Sequence, residues 1–208
     1  MRASGRAMKY GVLAFGLALV ACGPTRSVTR TAPGATEGGD LSGYWNDIDA
    51  EQVAEAMIDQ CLSAAWISNH QAEHGGDRPV IKLMGVIKRT DDRYVNEQYF
   101  SKQLERELLN SGKVRVVAAS DQENINVRER DRQAVYADDE TAKAQGQELG
   151  SDYTLQTIIN SQNETDGGGK TVRAYLVNME LVNTETNEKV WIGEKKIRKV
   201  IEQARARW

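Results

Sequence analysis

Apolar side chains first recur at regular spacing shortly after residue 43, behind a long run of small and polar residues. They repeat every three to four positions, which is the period of one face of an α-helix. The members of this stripe are Val53, Ala54, Met57, Ile58, Cys61 and Leu62. With Asp47 or Asp49 as N-cap, the pattern predicts a helix over about 48–66. We expect Cys61 to behave as a small buried hydrophobic residue.

The next segments alternate between strand and helix character. Residues 79–87 are branched and almost continuously apolar, which predicts a strand that is covered on both faces and lies centrally in a sheet. A helix should follow behind Asn96 and end at Ser111-Gly112, on the repeat of Phe100, Leu104 and Leu108. Residues 114–117 form the next predicted strand. Because short loops join these three elements, the two strands should run parallel.

The last third of the chain shows the two-residue alternation of strands with one buried face. After a charged, weakly helical segment over 121–149, a strand is predicted over 153–159, with one face formed by Tyr153, Leu155, Thr157 and Ile159. Residues 171–182 alternate in the same way, and a turn at 183–187 leads to a further strand, so these strands should form antiparallel hairpins. The patterns together predict an α/β fold, with one mixed sheet of about five strands flanked by helices.

The N-terminus has the organisation of an export signal. Arg2, Arg6 and Lys9 precede an apolar run over 10–20 that is too short to span a bilayer as a helix. The run ends in Leu-Val-Ala-Cys at 19–22, which resembles the bacterial lipoprotein signal, in which the Cys is acylated before cleavage. We therefore predict a signal peptide over 1–21 and lipidation of Cys22. The alternative is a plain secretory signal, with Cys22 an ordinary thiol.

Composition divides the remaining chain into a tether and one domain. Residues 22–42 are rich in Gly, Pro, Ser and Thr, and predict a flexible tether with a typical span of about 25 Å. Residues 43–208 suffice for a single globular domain. The first 21 residues hold three of the 27 basic residues and none of the 30 acidic ones, so their removal changes the net charge from −3 to −6. This balance argues against nucleic-acid binding.

Two short motifs are similar to parts of enzyme sites. Residues 70–74 read His-Gln-Ala-Glu-His, the pattern in which two imidazoles hold zinc and a Glu activates water. Because Gly75-Gly76 follows at once, we expect His70 and His74 to lie in an exposed polar loop. A zinc site would need a further carboxylate, such as Glu140 or Glu148.

The second motif, Gly-Gly-Gly-Lys-Thr at 167–171, is similar to the end of a phosphate-binding loop. Glu164 replaces the first Gly of that loop and a strand pattern follows, so the segment predicts a hairpin turn. We find no nucleophile with a plausible base, and expect neither catalytic residues, a bound metal nor a cofactor. The sequence therefore predicts a protein that is not an enzyme.

Basic residues are concentrated near the C-terminus of this acidic chain: Lys195, Lys196, Arg198, Lys199, Arg205 and Arg207. Charged side chains on an edge strand discourage aggregation, so the first interpretation is a solvated edge strand and tail. The alternative is attraction to an acidic partner surface or to an anionic wall polymer.

Several segments, in this order, resemble one known family: Arg-Pro-Val-Ile at 78–81, Glu-Leu-Leu-Asn-Ser-Gly-Lys-Val at 107–114, Gly-Ser-Asp-Tyr at 150–153 and Glu-Lys-Val-Trp at 188–191. With the lipoprotein signal and the tether, they resemble the LpoB family of penicillin-binding protein activators over residues 43–201. The resemblance implies a globular domain similar to the N-terminal domain of TolB.

The same resemblance implies a lipoprotein of the outer membrane that faces the periplasm. Its domain would dock on a class A penicillin-binding protein, activate this peptidoglycan synthase allosterically, and so regulate peptidoglycan synthesis and cell shape. Gly23 agrees with that location, because an Asp after the acylated Cys would favour the inner membrane. The tether is short for family members that bridge the periplasm. The competing class is a curli-type secretion-pore or other envelope-assembly lipoprotein subunit.

Overall fold

The computed structural model describes residues 42–118, 120–137, 143 and 149–202. The elements are α1 Asp47–Leu62, α2 Trp66–Glu73, β1 Val80–Arg89, α3 Glu97–Asn110, β2 Arg115–Val117, α4 Ser120–Tyr136, β3 Tyr153–Thr165, β4 Lys170–Asn183 and β5 Lys189–Glu202. The five strands form one sheet in the order β2-β1-β3-β4-β5. The pairs β1–β2 and β1–β3 are parallel, and β3–β4 and β4–β5 are antiparallel. This confirms the predicted mixed five-stranded α/β sheet.

The single helix predicted over 48–66 is two helices. The side chain of Asn46 accepts a hydrogen bond from the Asp49 N–H at 2.9 Å, and the Asp49 carboxylate accepts one from the Asn46 N–H at 3.0 Å, so Asn46 caps α1 in place of the predicted Asp47 or Asp49. Such a reciprocal pair satisfies two of the unpaired donors at a helix start. At the other end, the Trp66 indole N–H donates to the Cys61 carbonyl at 2.7 Å. The same carbonyl accepts a hydrogen bond from the Ala64 N–H at 3.3 Å, so both bonds satisfy the end of α1 where the chain leads into α2.

The second predicted helix is confirmed as α3. The Asn96 side chain accepts a hydrogen bond from the Tyr99 N–H at 3.0 Å and caps the helix. After Ser111, Gly112 has φ +64°, a left-handed conformation that glycine adopts without strain. The chain then turns at once into β2, which pairs in parallel with β1 as predicted.

Helices α1 and α3 pack against the same face of the sheet and enclose the core. Cys61 is fully buried there, as predicted, beside Val53 and Met57. The four predicted inward residues of β3 and the inward residues of β4, Tyr175, Val177, Met179 and Leu181, are also buried. The period-two pattern of these strands therefore marked the core face correctly.

The prediction that the first strand is covered on both faces is wrong. Met84 is 45% exposed and Ile87 is 47% exposed, although the first residues of β1 are buried. The two core helices, α1 and α3, lie on one side, and the register of the sheet places Ile87 opposite Ile158 on the other side. A continuous apolar run therefore does not prove two-sided burial. β1 is an interior strand, and β3 is the middle strand.

The two ends of the folded unit meet. Gly43 has φ +65°, and its α-carbon lies so close to the Ile201 side chain that a Cβ would overlap it. Arg173 of β4 donates to the Gly43 carbonyl at 3.4 Å. The segment that leads into α1 is therefore held against the end of β5.

Candidate functional site

Some of the predicted site residues lie outside the described residues. These are the lipidation site Cys22, the possible zinc carboxylates Glu140 and Glu148, and the basic residues Arg205 and Arg207. Lipidation of Cys22 therefore stays a prediction from the sequence. Within the described ranges, no helix is both long enough and apolar enough to cross a membrane.

The histidine motif is not an exposed loop, and that prediction is wrong. His70 lies on α2 and is only 3% exposed, and His74 ends the helix. The helix persists because its inner side packs on β3: the Trp66 and Tyr153 rings meet edge to face at 5.1 Å. The His70 Nδ1 lies 3.1 Å from the Tyr153 hydroxyl. This burial outweighs the weak helix propensity of the glycines that follow.

The two imidazoles are arranged for packing. Their rings stack at 4.1 Å with an interplanar angle of 13°, and His74 Nδ1 lies 2.9 Å from the His70 carbonyl. The His70 Nε2 faces Asp152 at 3.9 Å. Burial and the neighbouring His74 lower the pKa of His70, against the opposing charges of Asp152, Glu73 and Asp77. Among the described residues, no group of three or more His, Cys, Asp or Glu side chains is placed to hold a metal ion.

The glycine motif is a hairpin turn, as predicted. β3 and β4 pair up to Thr165 and Thr171, and Gly167 and Gly169 have positive φ values between them. The Asp166 carboxylate accepts hydrogen bonds from the Gly168 N–H at 2.6 Å and the Lys170 N–H at 3.1 Å. Its side chain thus closes the turn that the glycines permit.

Lys199 does not lie on a solvated edge, although β5 is an edge strand as predicted. The Lys199 ammonium pairs with the Asp49 carboxylate and donates to the Tyr44 carbonyl at 2.8 Å. Both charged side chains are nearly inaccessible, at 5% and 10% exposure. Lys199 alternates onto the inner face of β5, where it meets the start of α1. Lys196 and Arg198 face the opposite side of the strand.

Three donors converge on the carboxylate of Asp92, in the loop between β1 and α3. The Tyr175 hydroxyl and the Trp45 N–H donate to Oδ2, and the Tyr94 N–H donates to Oδ1 at 2.8 Å. Burial opposes ionisation, but these hydrogen bonds and the charge of Arg173 outweigh it and hold the pKa of Asp92 below its usual range. Burial and the Asp92 carboxylate raise the pKa of Tyr175. The cluster fixes the N-terminal segment to the sheet.

A stack of aromatic and guanidinium groups covers this cluster. The Arg173 guanidinium lies 3.8 Å from the centre of the Tyr44 ring, and the Tyr44 and Tyr94 rings lie 5.1 Å apart. Arg93 contacts the Tyr94 ring at 5.1 Å. Cation–π contacts of this kind contribute about 0.5–1 kcal/mol each at exposed sites. The stack therefore reinforces the attachment of the segment that precedes α1.

The sheet face opposite α1 and α3 is largely open, and we call it the open face. The register aligns Ile158 with Asn178 and Glu194, and Asn160 with Leu176 and Lys196. Three of its apolar side chains are about half exposed or more: Ile87, Ile192 and Val200. At the β1 side of this face, Lys82 forms a 2.9 Å ion pair with Glu123 of α4.

The open face has apolar side chains in its middle and charges along β5. Next to Leu176, a shallow groove of about 300 Å³ is lined by Lys196 and Arg198 of β5 and by Glu164 of β3. Exposed apolar surface with a charged border is typical of protein interaction sites. The fold and this surface together define a class: a mixed α/β domain with one sheet face that the described residues leave largely uncovered.

A family model described as peptidoglycan-synthase activator LpoB matches residues 49–197. The match runs from the first turn of α1 into the second half of β5, and the chain belongs to the LpoB family. The resemblance drawn from the sequence is thereby confirmed. A comparison with curated proteins finds no match.

Solved structures of similar proteins include the LpoB C-terminal domain from Escherichia coli. That domain is 18% identical, with a TM-score of 0.44, and the match covers 72% of this chain and 98% of that one. The LpoB C-terminal domain from Salmonella enterica is 17% identical, with a TM-score of 0.35, over 66% and 93% of the two chains. Lipoprotein GNA1162 from Neisseria meningitidis is 13% identical, with a TM-score of 0.39, over 62% and 88%.

Proposed function

We propose that this chain is a lipid-anchored protein of the outer membrane that binds a class A penicillin-binding protein in the periplasm and activates it. The observation that carries the proposal is the family match over residues 49–197. It covers nearly all of the described fold, including both core helices and the whole of β3 and β4. Cys22 would hold the domain at the membrane, and the segment up to residue 42 would let it reach its partner.

The activation we propose needs no reacting group on this chain. Docking changes the activity of a partner when the docked protein binds the active conformation more tightly than the inactive one. A tenfold difference in affinity between the two conformations shifts their equilibrium by about 1.4 kcal/mol. We infer that the domain acts in this way, as a regulator and not as an enzyme.

We place the synthase contact on the open face. The helix-bearing face is already occupied by α1 and α3, whereas Ile192 is 63% exposed and is bordered by Glu194 and Lys196. A half-exposed apolar side chain within a charged border can be buried against a partner with little rearrangement of the domain.

Pull-down and glycan polymerisation assays with a purified class A synthase test the function. We expect the full-length protein in detergent to bind the synthase and to raise its polymerisation rate. A protein that neither binds nor changes the rate would overturn the proposed function.

Ile192→Glu tests the position of the contact, with Leu109→Glu as matched control. Leu109 is a 52% exposed apolar residue on α3, remote from the open face. Ile192→Glu should weaken synthase binding at least about tenfold, because it places a charge in an apolar contact, while Leu109→Glu should bind as the wild type does. Equal binding by the two variants would refute the placement on the open face and leave the function intact.

A further inference from the structure

β1 is far longer than the strand that pairs with its outer edge. β2 has three residues, and they pair only with Val80, Ile81 and Lys82. Over Leu83–Arg89, β1 pairs with β3 on one side, and within the described residues no strand pairs with its other side. Along a strand, the N–H and C=O groups of successive residues point alternately to the two sides of the strand. About half of these seven residues therefore direct both groups to the side of β1 that faces away from β3.

A groove runs along this unpaired edge, and we call it the β1 groove. Its volume is about 380 Å³. One wall is the strand itself, the other is the exposed side of α3, and Val117 at the end of β2 closes one end. The residues that line it from the strand are Leu83, Gly85 and Val86, and those from α3 are Glu97, Gln98, Ser101, Lys102 and Glu105.

The backbone is most accessible in the middle of the groove. The pairing of β1 with β3 is irregular between Leu83 and Val86, as at a β-bulge. Gly85 lies in this irregularity, and a Cβ added there would have no other atom within 4 Å. A glycine in a strand interior marks a bulge or a place where another backbone approaches closely. At Gly85, an incoming chain would meet no side chain.

The outer edge of β5 and the unpaired part of β1 differ in protection. β5 carries four charged residues in its middle besides the buried Lys199, namely Glu194, Lys195, Lys196 and Arg198, which discourage pairing with another chain. From Leu83 to Ile87, β1 carries no charge, and its charged residues Lys82, Lys88 and Arg89 lie on either side of this stretch. An unprotected edge beside a helix is the arrangement by which folded domains accept an extended peptide as an additional strand.

We propose that the β1 groove binds an extended peptide segment of a partner protein, which adds to the sheet beside Leu83–Arg89. Apolar side chains at alternate positions of the peptide would lie against Leu83 and Val86. Glu97, Lys102 and Glu105 give the α3 wall a net charge of −1, with Lys102 and Glu105 paired at 2.5 Å. A basic residue at the end of the peptide therefore complements the wall. This site is separate from the open face and does not depend on which synthase is bound.

Hydrogen–deuterium exchange on the full-length protein in detergent tests the proposal. The probe is the blocked peptide acetyl-Lys-Val-Thr-Val-Thr-Val-Lys-amide, which alternates apolar and polar side chains between basic ends. Saturable binding should slow exchange in the peptic fragment that contains Leu83–Arg89 at least about tenfold, because strand addition engages its free N–H groups. A control peptide with Pro in place of the central Val lacks a backbone donor there and should give no protection.

Two matched variants complete the test. Ser101→Trp would fill the groove from the α3 side and should abolish protection by the probe, whereas Ser68→Trp, at an exposed position on α2, should leave it unchanged. Protection that appears only over β5, or that survives in Ser101→Trp, would overturn the proposal. Absence of any protection would also overturn it. Self-association of the protein without the probe, if Ser101→Trp abolishes it, would overturn the proposed partner peptide. It would show that a second copy of this chain occupies the β1 groove.

Discussion

The Tyr175 hydroxyl donates a hydrogen bond to the Asp92 carboxylate, and these two residues are 83 positions apart in the sequence. The Trp45 N–H lies 2.9 Å from both Asp92 Oδ2 and the Tyr175 oxygen. The middle of β4, the loop after β1 and the segment before α1 are therefore joined through one buried carboxylate. This junction holds the N-terminal end of the described domain.

Tyr175→Phe tests the contribution of that junction. The substitution removes one donor to Asp92 while the aromatic ring stays in the core, and we expect a loss of about 1–3 kcal/mol in the free energy of unfolding. Urea denaturation followed by tryptophan fluorescence measures it. Tyr94→Phe removes a half-exposed hydroxyl and should change stability by less than about 0.5 kcal/mol. Equal effects of the two substitutions would contradict a special role for Tyr175.

Lys199→Met tests the buried ion pair with Asp49. The variant keeps an apolar side chain of similar length but leaves the carboxylate in a buried place without its ammonium partner. We expect destabilisation by about 3 kcal/mol, the usual cost of removing one member of a buried pair. Lys196→Met, on the exposed side of the same strand, should cost less than about 0.5 kcal/mol. An unchanged free energy of unfolding in Lys199→Met would show that the ion pair makes no net contribution to stability.

Stability should decline as the pH falls below the ordinary His value of 6.5. The pKa of His70 is lowered in the folded protein, first by burial. Below pH 6.5 the unfolded chain binds a proton at this residue that the folded chain does not bind, so acid favours unfolding. Above pH 6.5 both states hold the neutral imidazole and the effect vanishes.

Thermal melting between pH 5 and 8 measures this dependence. His70→Gln should flatten the curve below pH 6.5, and Asn69→Gln, an exposed neighbour on α2, should keep the wild-type slope. An unchanged slope in His70→Gln would assign the acid sensitivity to other groups.

Cys61 should resist thiol reagents in the native protein. It is fully buried, and burial raises the pKa of its thiol from 9.0 to about 12, against the opposing hydrogen bond with Trp66. In a Cys22→Ala variant, where Cys61 is the sole thiol, maleimide labelling at pH 7.5 should be at least about 100-fold slower than in urea. Fast labelling under native conditions would show that α1 opens readily.

The elements with strong periodicity were predictable from the sequence alone. The stripe of Phe100, Leu104 and Leu108 located α3, and the alternation through Tyr175 and Met179 located β4. Predictions failed where long-range packing decides. α2 forms because Trp66 and His70 contact Tyr153, which is distant in the sequence. The local sequence pattern around α2 does not include this residue.

The same physical reason explains what the sequence missed at the candidate site. Asp92 sits in a polar run that reads as an ordinary turn, and only the assembled sheet brings Tyr175 to it. The basic character of β5 was visible in the sequence. Which of its lysine side chains points to the inner face depends on which of the two alternating sides of the strand faces α1. The exposure of β1 depends likewise on the placement of α1 and α3 on one side of the sheet.

The contact between Gly43 and Ile201 brings the two ends of the folded unit together. The ends could thus be joined by a short linker and the chain reopened between Glu185 and Thr186, in the turn after β4, without breaking any strand pair. With the proposed lipid anchor placed at its new N-terminus, such a circular permutant would be attached at the opposite end of the domain. It would separate the influence of distance from the membrane and that of orientation towards it, which the natural order of the chain always varies together.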